Sequence, residues 1–369
     1  MTRAQIPCSS PAPREDAAAV RAAIERVVAS GWFILGPEVD AFEREFAAAA
    51  RAGHAVGVGT GTDAIALALR ALGIGPGDEV ITTPLSAAYT ALAIVMAGAQ
   101  PVFADIDASR LTIDPQAIAA AITPRTRAIV PVHLYGQPAD MTAIAQIARA
   151  HSLAIVEDCC QAHLATCSGE PVGTIGAAGA FSFYPTKNLA ALGDGGAVVT
   201  NDSALAERIK RLRNGGQTDR YHHQEPGVNS RLDELQAAIL RARLPFLPRW
   251  TARRRELAAD YRRLLSDAPV AVPAVHDSGH VYHLFPVLAP GGAGARAALQ
   301  QHLAAAGVDT LVHYPIPINR QPAFAHLPPA ACGCADDVSG RVLSLPIHPA
   351  LDGSAVAAVA AAIQRWRDH

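Results

Sequence analysis

The stretch HAVGVGTGTDAIALALRALGI, residues 54–74, decides the fold class of this 369-residue chain. A short apolar strand runs into the glycine-rich turn Gly59–Thr62, and a helix follows directly. The strand is apolar on both sides of its pleat, which is typical of a parallel strand buried on both faces of a sheet. A strand that leads through a tight turn into a helix is the repeating unit of α/β proteins. We therefore expect an α/β fold.

The same alternation of strand and helix continues on the C-terminal side as far as about residue 200. Short apolar strands are predicted in EVITTPLS, PVFADI, RAIVPVHLYG and LAIVED, with a helix between successive strands. Two further strands, AAGAFSFYP and GGAVVTND, are separated by a loop, and two helices, in 14–30 and in VDAFEREFAAAARA, precede the unit. This pattern predicts a parallel sheet covered by helices on both faces.

A second, smaller unit is predicted beyond residue 245. The long charged helix in PFLPRWTARRRELAADYRRLLSDA leads to a predicted strand in VYHLFPVLA, a helix, a predicted strand in LVHYPIP and a terminal helix. A chain of this length exceeds one ordinary core. We therefore expect a large domain at 1–245 and a small C-terminal α/β domain at 246–369.

Composition argues against several classes of protein. A net charge of −2 offers no basic surface for nucleic acid or for an anionic membrane. No apolar run is long enough to span a bilayer, and the N-terminus MTRAQIPCSSPAPRED lacks the apolar core of a signal peptide. A cytoplasmic location is therefore expected. The six cysteines lack zinc-site spacing, and CGC at 332–334 offers only two ligands in a loop, so no metal is expected.

Candidate ligand-binding groups follow the carboxyl ends of predicted strands, where α/β folds bind their ligands. Gly61 and Thr62 open a helix, whose free N–H groups can hold an anion, although a plain capped turn fits them about as well. The turn is not a dinucleotide fingerprint, because Thr62 stands where the third glycine belongs, and the chain has no GK[ST] P-loop. Asp158 ends a strand and either caps a helix or pairs with a protonated ring nitrogen.

Lysine occurs only twice in this chain, at Lys187 and Lys210. Lys210 lies in ERIKRLR, a charged helix where an exposed lysine is ordinary. Lys187 lies in FSFYPTKNLAALGDGGAVV, a loop with aromatic and small neighbours. A lysine withdrawn from water has a lowered pKa and is the nucleophile that forms Schiff bases. A phosphate cup, a carboxylate and such a lysine together are what pyridoxal phosphate requires.

The motifs GWFILGPEVDAFE, GTGTDAIALAL, EDCCQAH, FSFYPTKNL, GVNSRLDELQAA and HYPIP occur in this order. They are similar to successive motifs of the DegT/DnrJ/EryC1/StrS family of sugar aminotransferases, and the resemblance runs from about Arg21 to the C-terminus. It implies a fold-type I aminotransferase with a mostly parallel, seven-stranded sheet, pyridoxal 5'-phosphate as cofactor and a homodimer with shared active sites. It also implies L-glutamate as amino donor and a nucleotide-linked keto sugar as acceptor.

The resemblance also implies roles for particular residues. Lys187 carries the cofactor and moves the proton. Asp158 pairs with the pyridine nitrogen, Gln161 contacts the ring hydroxyl and Tyr89 stacks on the ring. The residues expected to hold the phosphate are Gly61, Thr62, Ser182 and, reaching across to the other subunit, Asn229. His163 is either a hydrogen-bonding residue behind the site or an ordinary core histidine.

Substrate contacts are implied by RYHHQEPGVNSRLDELQAA, which resembles members that aminate C3 of nucleotide-linked 3-keto-6-deoxyhexoses. The residues expected near the substrate are Tyr221, His222, Arg231, His313 and Tyr314. A polar interface loop is an equal alternative for the first three. Two departures from the family pattern lie near the expected substrate entrance. They are the N-terminal CSSPAPRED and INRQ at 318–321, where Asn319 stands in a segment that commonly has a histidine after the proline.

Other functions remain open at this point. The acceptor is alternatively another keto sugar or a cyclitol ketone. A non-catalytic relative that binds the cofactor is a further alternative, against which Lys187, Asp158 and Gln161 argue. Relatives with histidine in place of the lysine remove a hydroxyl group, and Lys187 argues against that reaction. A nucleotide-dependent oxidoreductase would need the glycine fingerprint that is missing.

Overall fold

The computed structural model of this protein describes residues 6–366. In that part of the chain the strands, in order, are β1 (His54–Val58), β2 (Glu79–Thr82), β3 (Gln100–Phe103), β4 (Thr126–Val130), β5 (Ala154–Asp158), β6 (Thr166–Cys167), β7 (Glu170–Pro171), β8 (Ala178–Ser182), β9 (Gly196–Thr200), β10 (Gln217–Asp219), β11 (His222–His223), β12 (Phe285–Leu288) and β13 (Val342–Leu345).

The helices alternate with these strands. They are α1 (Ala17–Ser30), α2 (Pro37–Ala49), α3 (Gly61–Ala71), α4 (Tyr89–Met96), α5 (Pro115–Ala121), α6 (Met141–His151), α7 (Ser203–Leu212), α8 (Glu234–Arg243), α9 (Leu247–Leu264), α10 (Ala293–Ala305), α11 (Gly333–Arg341) and α12 (Gly353–Arg365). Among these described helices, none combines the length and the apolar character that a membrane crossing requires.

Seven strands form the central sheet, in the order β1-β9-β8-β5-β4-β2-β3. Neighbouring strands are parallel except at β9, which is antiparallel to both β1 and β8. Six strands therefore point the same way, and their carboxyl ends lie along one edge of the sheet. The prediction of a mostly parallel, seven-stranded α/β fold is confirmed.

Both faces of this sheet are buried, as its apolar strands predict. In β5, the successive residues Ile155 and Val156 belong to separate hydrophobic clusters. In β4, Ile129 and Val130 divide between the same two clusters. Because successive side chains of a strand point to opposite faces, the two clusters lie on opposite sides of the sheet.

A further hydrophobic cluster lies in the C-terminal part of the chain, where the Tyr261 and Phe285 rings stack with centroids 4.8 Å apart. The strand predicted in VYHLFPVLA is reduced to β12, which pairs antiparallel with β13. The prediction of a strand in LVHYPIP is wrong, because Leu311 makes a single bridge to Ser344 and no ladder follows. Two prolines in this segment lack the N–H groups that a ladder needs.

The N-terminal segment Ile6–Asp16 lies against the C-terminal part of the chain. Ile6 N donates to Gly307 O at 3.1 Å, and Cys8 N donates to Asp309 Oδ2 at 3.3 Å. Asp16 is buried and pairs with Arg243 Nε at 2.7 Å. The helix expected at 14–30 begins at Ala17, directly after this pair. The segment precedes the large sheet in sequence but packs on the part of the chain after residue 245. The division into domains at 1–245 and 246–369 therefore stays a prediction.

Candidate active site

The carboxyl edge of the sheet gathers residues that are far apart in sequence. β1 ends just before Gly61, β5 ends on Asp158, and β8 ends on Ser182. The loop after β8 carries Lys187, and α4, which follows β2, begins at Tyr89. These strands are parallel, so the structure brings the predicted residues to one edge, as expected for a ligand site in an α/β sheet.

The first turn of α3 forms a tight cup at this edge. A Cβ atom added to Gly61 would lie 2.7 Å from Cys160 Sγ and 2.7 Å from Ser182 Cβ. Only glycine therefore lets the backbone approach these two residues. The Thr60 side chain caps α3, and Thr62 follows half-buried in the first turn. Backbone N–H groups at such a helix start suit a phosphate.

Asn229 lies beside this cup but faces outward. The neighbouring Ser230 is buried; its hydroxyl donates to Asp63 Oδ2 at 2.8 Å and accepts from Gly59 N at 2.9 Å. This bridge ties the loop of Asn229 to the start of α3. Asn229 itself is exposed. Its position is therefore compatible with a contact to a second chain.

Asp158 is held in one orientation by two hydrogen bonds. Thr90 Oγ1 donates to Asp158 Oδ2 at 2.7 Å, and Cys160 N donates to Asp158 Oδ1 at 3.1 Å. Asp158 is 5% exposed and Thr90 is 2% exposed, so the carboxylate is withdrawn from water. The sequence pattern did not predict a role for Thr90, although this residue directly follows Tyr89. Tyr89 itself is 64% exposed.

Gln161 connects two tyrosines of distant segments. Its Oε1 accepts from Tyr135 N at 2.7 Å, and its Nε2 donates to Tyr314 Oη at 3.1 Å. The Tyr135 hydroxyl donates to His313 O, so the HYPIP segment is tied to the large sheet. Burial raises the pKa of both Tyr135 and Tyr314 above the ordinary tyrosine value. Both phenols are therefore neutral hydrogen-bonding groups, and Tyr135 was not predicted.

Lys187 is half-buried, and its amine has no hydrogen bond or ion pair with any residue from 6 to 366. Burial lowers the pKa of Lys187, while the nearby Cys160 and Asp158 oppose this shift. Lys210, in contrast, pairs with Glu207 at 2.8 Å on the surface. An amine with a lowered pKa and no partner is available as a nucleophile.

A cavity of about 370 Å³ adjoins Lys187. Its walls come from the N-terminal segment, the Lys187 loop and the C-terminal part of the chain. His313 lines it, and its Nδ1 lies 2.9 Å from Ser344 Oγ. Burial, and next the charge of Lys187, lower the pKa of His313 to about 4, so its imidazole is neutral at pH 7.

The other predicted substrate residues do not line this cavity. Tyr221 and His222 lie at the tip of the β10–β11 hairpin, where Tyr221 is 75% exposed. Arg231 Nη1 donates to Asn214 Oδ1 at 3.1 Å. Within one chain the structure therefore separates these three residues from Lys187. Asn319 Oδ1 is buried and lacks a hydrogen-bond partner in the described chain.

His163 lies inside the core behind the sheet edge. Its ring centroid is 5.5 Å from that of Phe181 and 5.8 Å from that of Phe183. Burial, and next the charge of Lys187, lower the pKa of His163 to about 3. A neutral imidazole packed on two phenylalanines favours the interpretation as a core histidine.

A second polar group lies buried next to Asp158. Glu157 accepts hydrogen bonds from three backbone N–H groups of residues 173–176 and lies 3.1 Å from His133 Nε2. Ligand-type atoms of Glu157, His133 and Cys159 all lie within 4.8 Å of one another. Because the Glu157 oxygens are already engaged, this network fixes the end of β5 and offers little to a metal ion.

Known proteins resemble this chain in sequence and in overall fold. Residues 14–364 match the model of the DegT/DnrJ/EryC1/StrS aminotransferase family. This chain belongs to that family.

Individual family members match over nearly the whole chain. The dTDP-3-amino-3,4,6-trideoxy-alpha-D-glucose transaminase of Streptomyces venezuelae is 48% identical over 352 residues, which cover 94% of this chain and 92% of the relative. The erythromycin biosynthesis sensory transduction protein EryC1 of Saccharopolyspora erythraea is 49% identical over 346 residues, 93% of each. The crystal structure of S. venezuelae DesV in complex with a ketimine intermediate superposes with a TM-score of 0.94, at 47% identity and 98% coverage of both chains.

Membership in this family makes the protein a pyridoxal-phosphate-dependent aminotransferase. The site fits the cofactor in three respects. Gly61 lies at the start of α3, where a phosphate binds, and a Cβ atom at this position would collide with its neighbours. Lys187 offers an amine without a partner, and Asp158 offers an oriented, buried carboxylate.

Proposed function

We propose that this enzyme transfers an amino group from L-glutamate to a nucleotide-linked 3-keto-6-deoxyhexose, and that it acts as a cytoplasmic homodimer with shared active sites. The observation that carries the proposal is the free Lys187 amine beside a cavity, in a chain 48% identical to a dTDP-3-amino-sugar transaminase. The six cysteines, all unpaired, support a reducing compartment.

The residues of the site divide the work of amino transfer. Bound pyridoxal phosphate supplies an electrophilic carbon and a ring that stores electrons. We assign Lys187 to moving the proton, because burial lowers the pKa of its amine and so favours the neutral form that accepts a proton. We assign Asp158 to holding a proton on the ring nitrogen, with Thr90 fixing its carboxylate. We assign Gln161, whose amide oxygen accepts from Tyr135 N, to contacting the ring hydroxyl.

A homodimer is supported by exposed apolar side chains around the site. α4 begins with the exposed Tyr89 and leaves further apolar side chains uncovered. Other large apolar residues are exposed in the loop after α1 and near Asn229. These exposed residues are Trp32, Phe33, Ile34, Tyr89, Leu92, Val95, Met96, Tyr221 and Val228. A set of this kind is characteristic of a protein interface.

Shared sites make a specific prediction for mixed subunits. Lys187→Ala and Asn229→Asp are each expected to be nearly inactive alone. When the two variants are unfolded together and refolded, a hybrid dimer has one site with both residues intact. Because half of randomly assembled dimers are hybrids, about a quarter of wild-type activity is expected to return. Activity that stays at the level of the separate variants would contradict sites built from two subunits.

The acceptor is tested by separating the reaction into halves. Holoenzyme is first converted by L-glutamate to its aminated form, followed by absorbance, and excess glutamate is removed. Addition of a dTDP-linked 3-keto-6-deoxyhexose is expected to restore the original spectrum and to yield the 3-amino sugar by mass spectrometry. The 4-keto isomer and a cyclitol ketone serve as comparison acceptors. Faster turnover with either of these would reject the proposed acceptor.

A further inference from the structure

We propose that the cavity beside Lys187 holds a carboxylate of the amino donor, with Arg254 as its cation and His348 as its hydrogen-bond donor. This inference rests on the proposed function, because it concerns how that reaction takes up its donor.

Arg254 is a buried cation with unused hydrogen-bonding capacity. It lies on α9, is 6% exposed and lines the cavity. Its Nη1 donates to the carbonyl oxygens of Tyr282, His283 and Ile347 at 3.1, 3.2 and 2.9 Å. Its Nε is buried without a partner, and its Nη2 makes no hydrogen bond within the described chain.

No described carboxylate pairs with Arg254. Burial lowers its pKa to about 10, which still leaves the guanidinium charged at neutral pH. A buried charge without a counter-ion is costly, whereas an anion that enters the cavity would relieve that cost. Arginine also presents a planar fork that matches a carboxylate. The free nitrogens of Arg254 therefore point to an anionic ligand.

His348 supplies the second unused group in the same wall. It is 4% exposed and lines the cavity, and between residues 6 and 366 its ring nitrogens make no well-formed hydrogen bond, although the Pro7 backbone lies close to the ring. Burial, and next the charge of Arg254, lower the pKa of His348 to about 4. At neutral pH its ring is neutral and carries one N–H donor. It adds a hydrogen bond to an anion without adding a second charge, which suits a singly charged carboxylate.

The other charged residues of the wall are already occupied or exposed. Asp16 pairs with Arg243 at 2.7 Å, and Glu15 pairs with Arg249, which does not line the cavity. Arg14 is exposed, and its Nε donates to Ser10 Oγ at 3.0 Å. The acidic residues are thus neutralised, and apart from the reactive amine of Lys187 the buried cation without a counter-ion among the described lining residues is Arg254 on α9. The atypical N-terminal segment contributes to this arrangement as one wall of the cavity.

The size of the cavity favours the amino donor over the nucleotide sugar. Small-molecule sites occupy about 300–1,000 Å³, and this cavity, at about 370 Å³, is near the lower limit. A five-carbon dicarboxylate fits such a volume, whereas a nucleotide sugar would fit only in part. Lys187 lines the same cavity, so a donor bound here through a carboxylate lies in the compartment of the reactive amine.

The test uses glutarate, a dicarboxylate that cannot donate an amino group. Its Kd for holoenzyme is measured by calorimetry, together with kcat and KM of the glutamate half-reaction. For Arg254→Lys we expect both Kd and KM to rise by about 10- to 100-fold, since lysine keeps the charge but lacks the planar fork that binds both carboxylate oxygens. For His348→Asn we expect a rise of about fivefold, since the shorter side chain withdraws its N–H from the ligand. Arg263→Lys on the exposed side of α9 is the matched control and should change neither value.

The remaining outcomes are decided by the second half-reaction with the keto sugar. Unchanged glutarate binding in both variants overturns the proposal. A variant that binds glutarate normally but no longer reacts with the keto sugar also overturns the proposal, because the cavity would then bind the diphosphate of the nucleotide sugar. If Arg254→Lys does not fold, by circular dichroism, His348→Asn decides alone. Failure of wild-type enzyme to aminate any 3-keto sugar would reject the proposed function while leaving the donor subsite standing.

Discussion

Lys187→Ala is expected to lower the rate of amino transfer by about 10³-fold, because it removes both the nucleophile and the group that moves the proton. Lys210→Ala is expected to leave the rate unchanged. Lys210 is the matched control, since it is the other lysine of the chain and pairs with Glu207 on the surface. The rate is measured by the conversion of holoenzyme with L-glutamate.

Chemical trapping checks the same assignment independently of the rate. Borohydride reduction should fix the cofactor covalently to one peptide of the wild-type enzyme. With two lysines in the chain, mass spectrometry assigns the label without ambiguity. The label is expected on Lys187, retained in Lys210→Ala and lost in Lys187→Ala. A label on Lys210, or an undiminished rate without Lys187, would remove Lys187 from the reaction.

Asp158→Asn is expected to lower kcat by about 10²- to 10³-fold while the cofactor remains bound. The carboxylate is buried and oriented by Thr90, so an amide in its place leaves the ring-nitrogen proton without its counter-charge. Removing one member of a buried ion pair costs about 3–5 kcal/mol. If the activation free energy rises by an amount in the lower part of that range, the rate falls by about 10²- to 10³-fold.

Stopped-flow measurement of both half-reactions provides the test for Asp158. Asp140→Asn is the control, because Asp140 caps α6 through Ala143 N at 3.1 Å and asparagine caps equally well. The two variants should bind cofactor alike and differ in rate. Equal rates in both would show that the Asp158 charge has no part in the reaction, and loss of cofactor would show that its role is binding.

The central sheet was predictable because its signals are local. Most strands are short apolar runs that end at or just before a glycine, a proline or a polar residue, as in β1, whose last residue Val58 is followed by Gly59. Both faces are buried, so the hydrophobic pattern does not depend on which neighbour lies beside a given strand. The strand order and the reversed direction of β9 carry no such local signal.

The C-terminal part was predicted less well, for a physical reason. LVHYPIP has the apolar content of a strand, but its prolines cannot complete a ladder. Its tyrosine is used instead for a contact with Gln161, which lies 153 residues away in sequence. The strand that does pair with β12, VLSL at 342–345, is four residues long and follows a helix directly. Such a short run is poorly distinguished from a helix end by periodicity.

By itself, the sequence determined the α/β class, the glycine turn before α3 and the unusual setting of Lys187. Each of these follows from composition and spacing within about twenty residues. Tertiary structure alone decided that Thr90 orients Asp158, 68 positions apart, and that Arg254 and His348 meet Lys187 in one cavity. The reason is that the burial of a charged side chain, and the presence or absence of a counter-ion, depend on segments that are distant in sequence. That Arg254 lacks a counter-ion in the described chain can be seen only once all segments packed around it are in place.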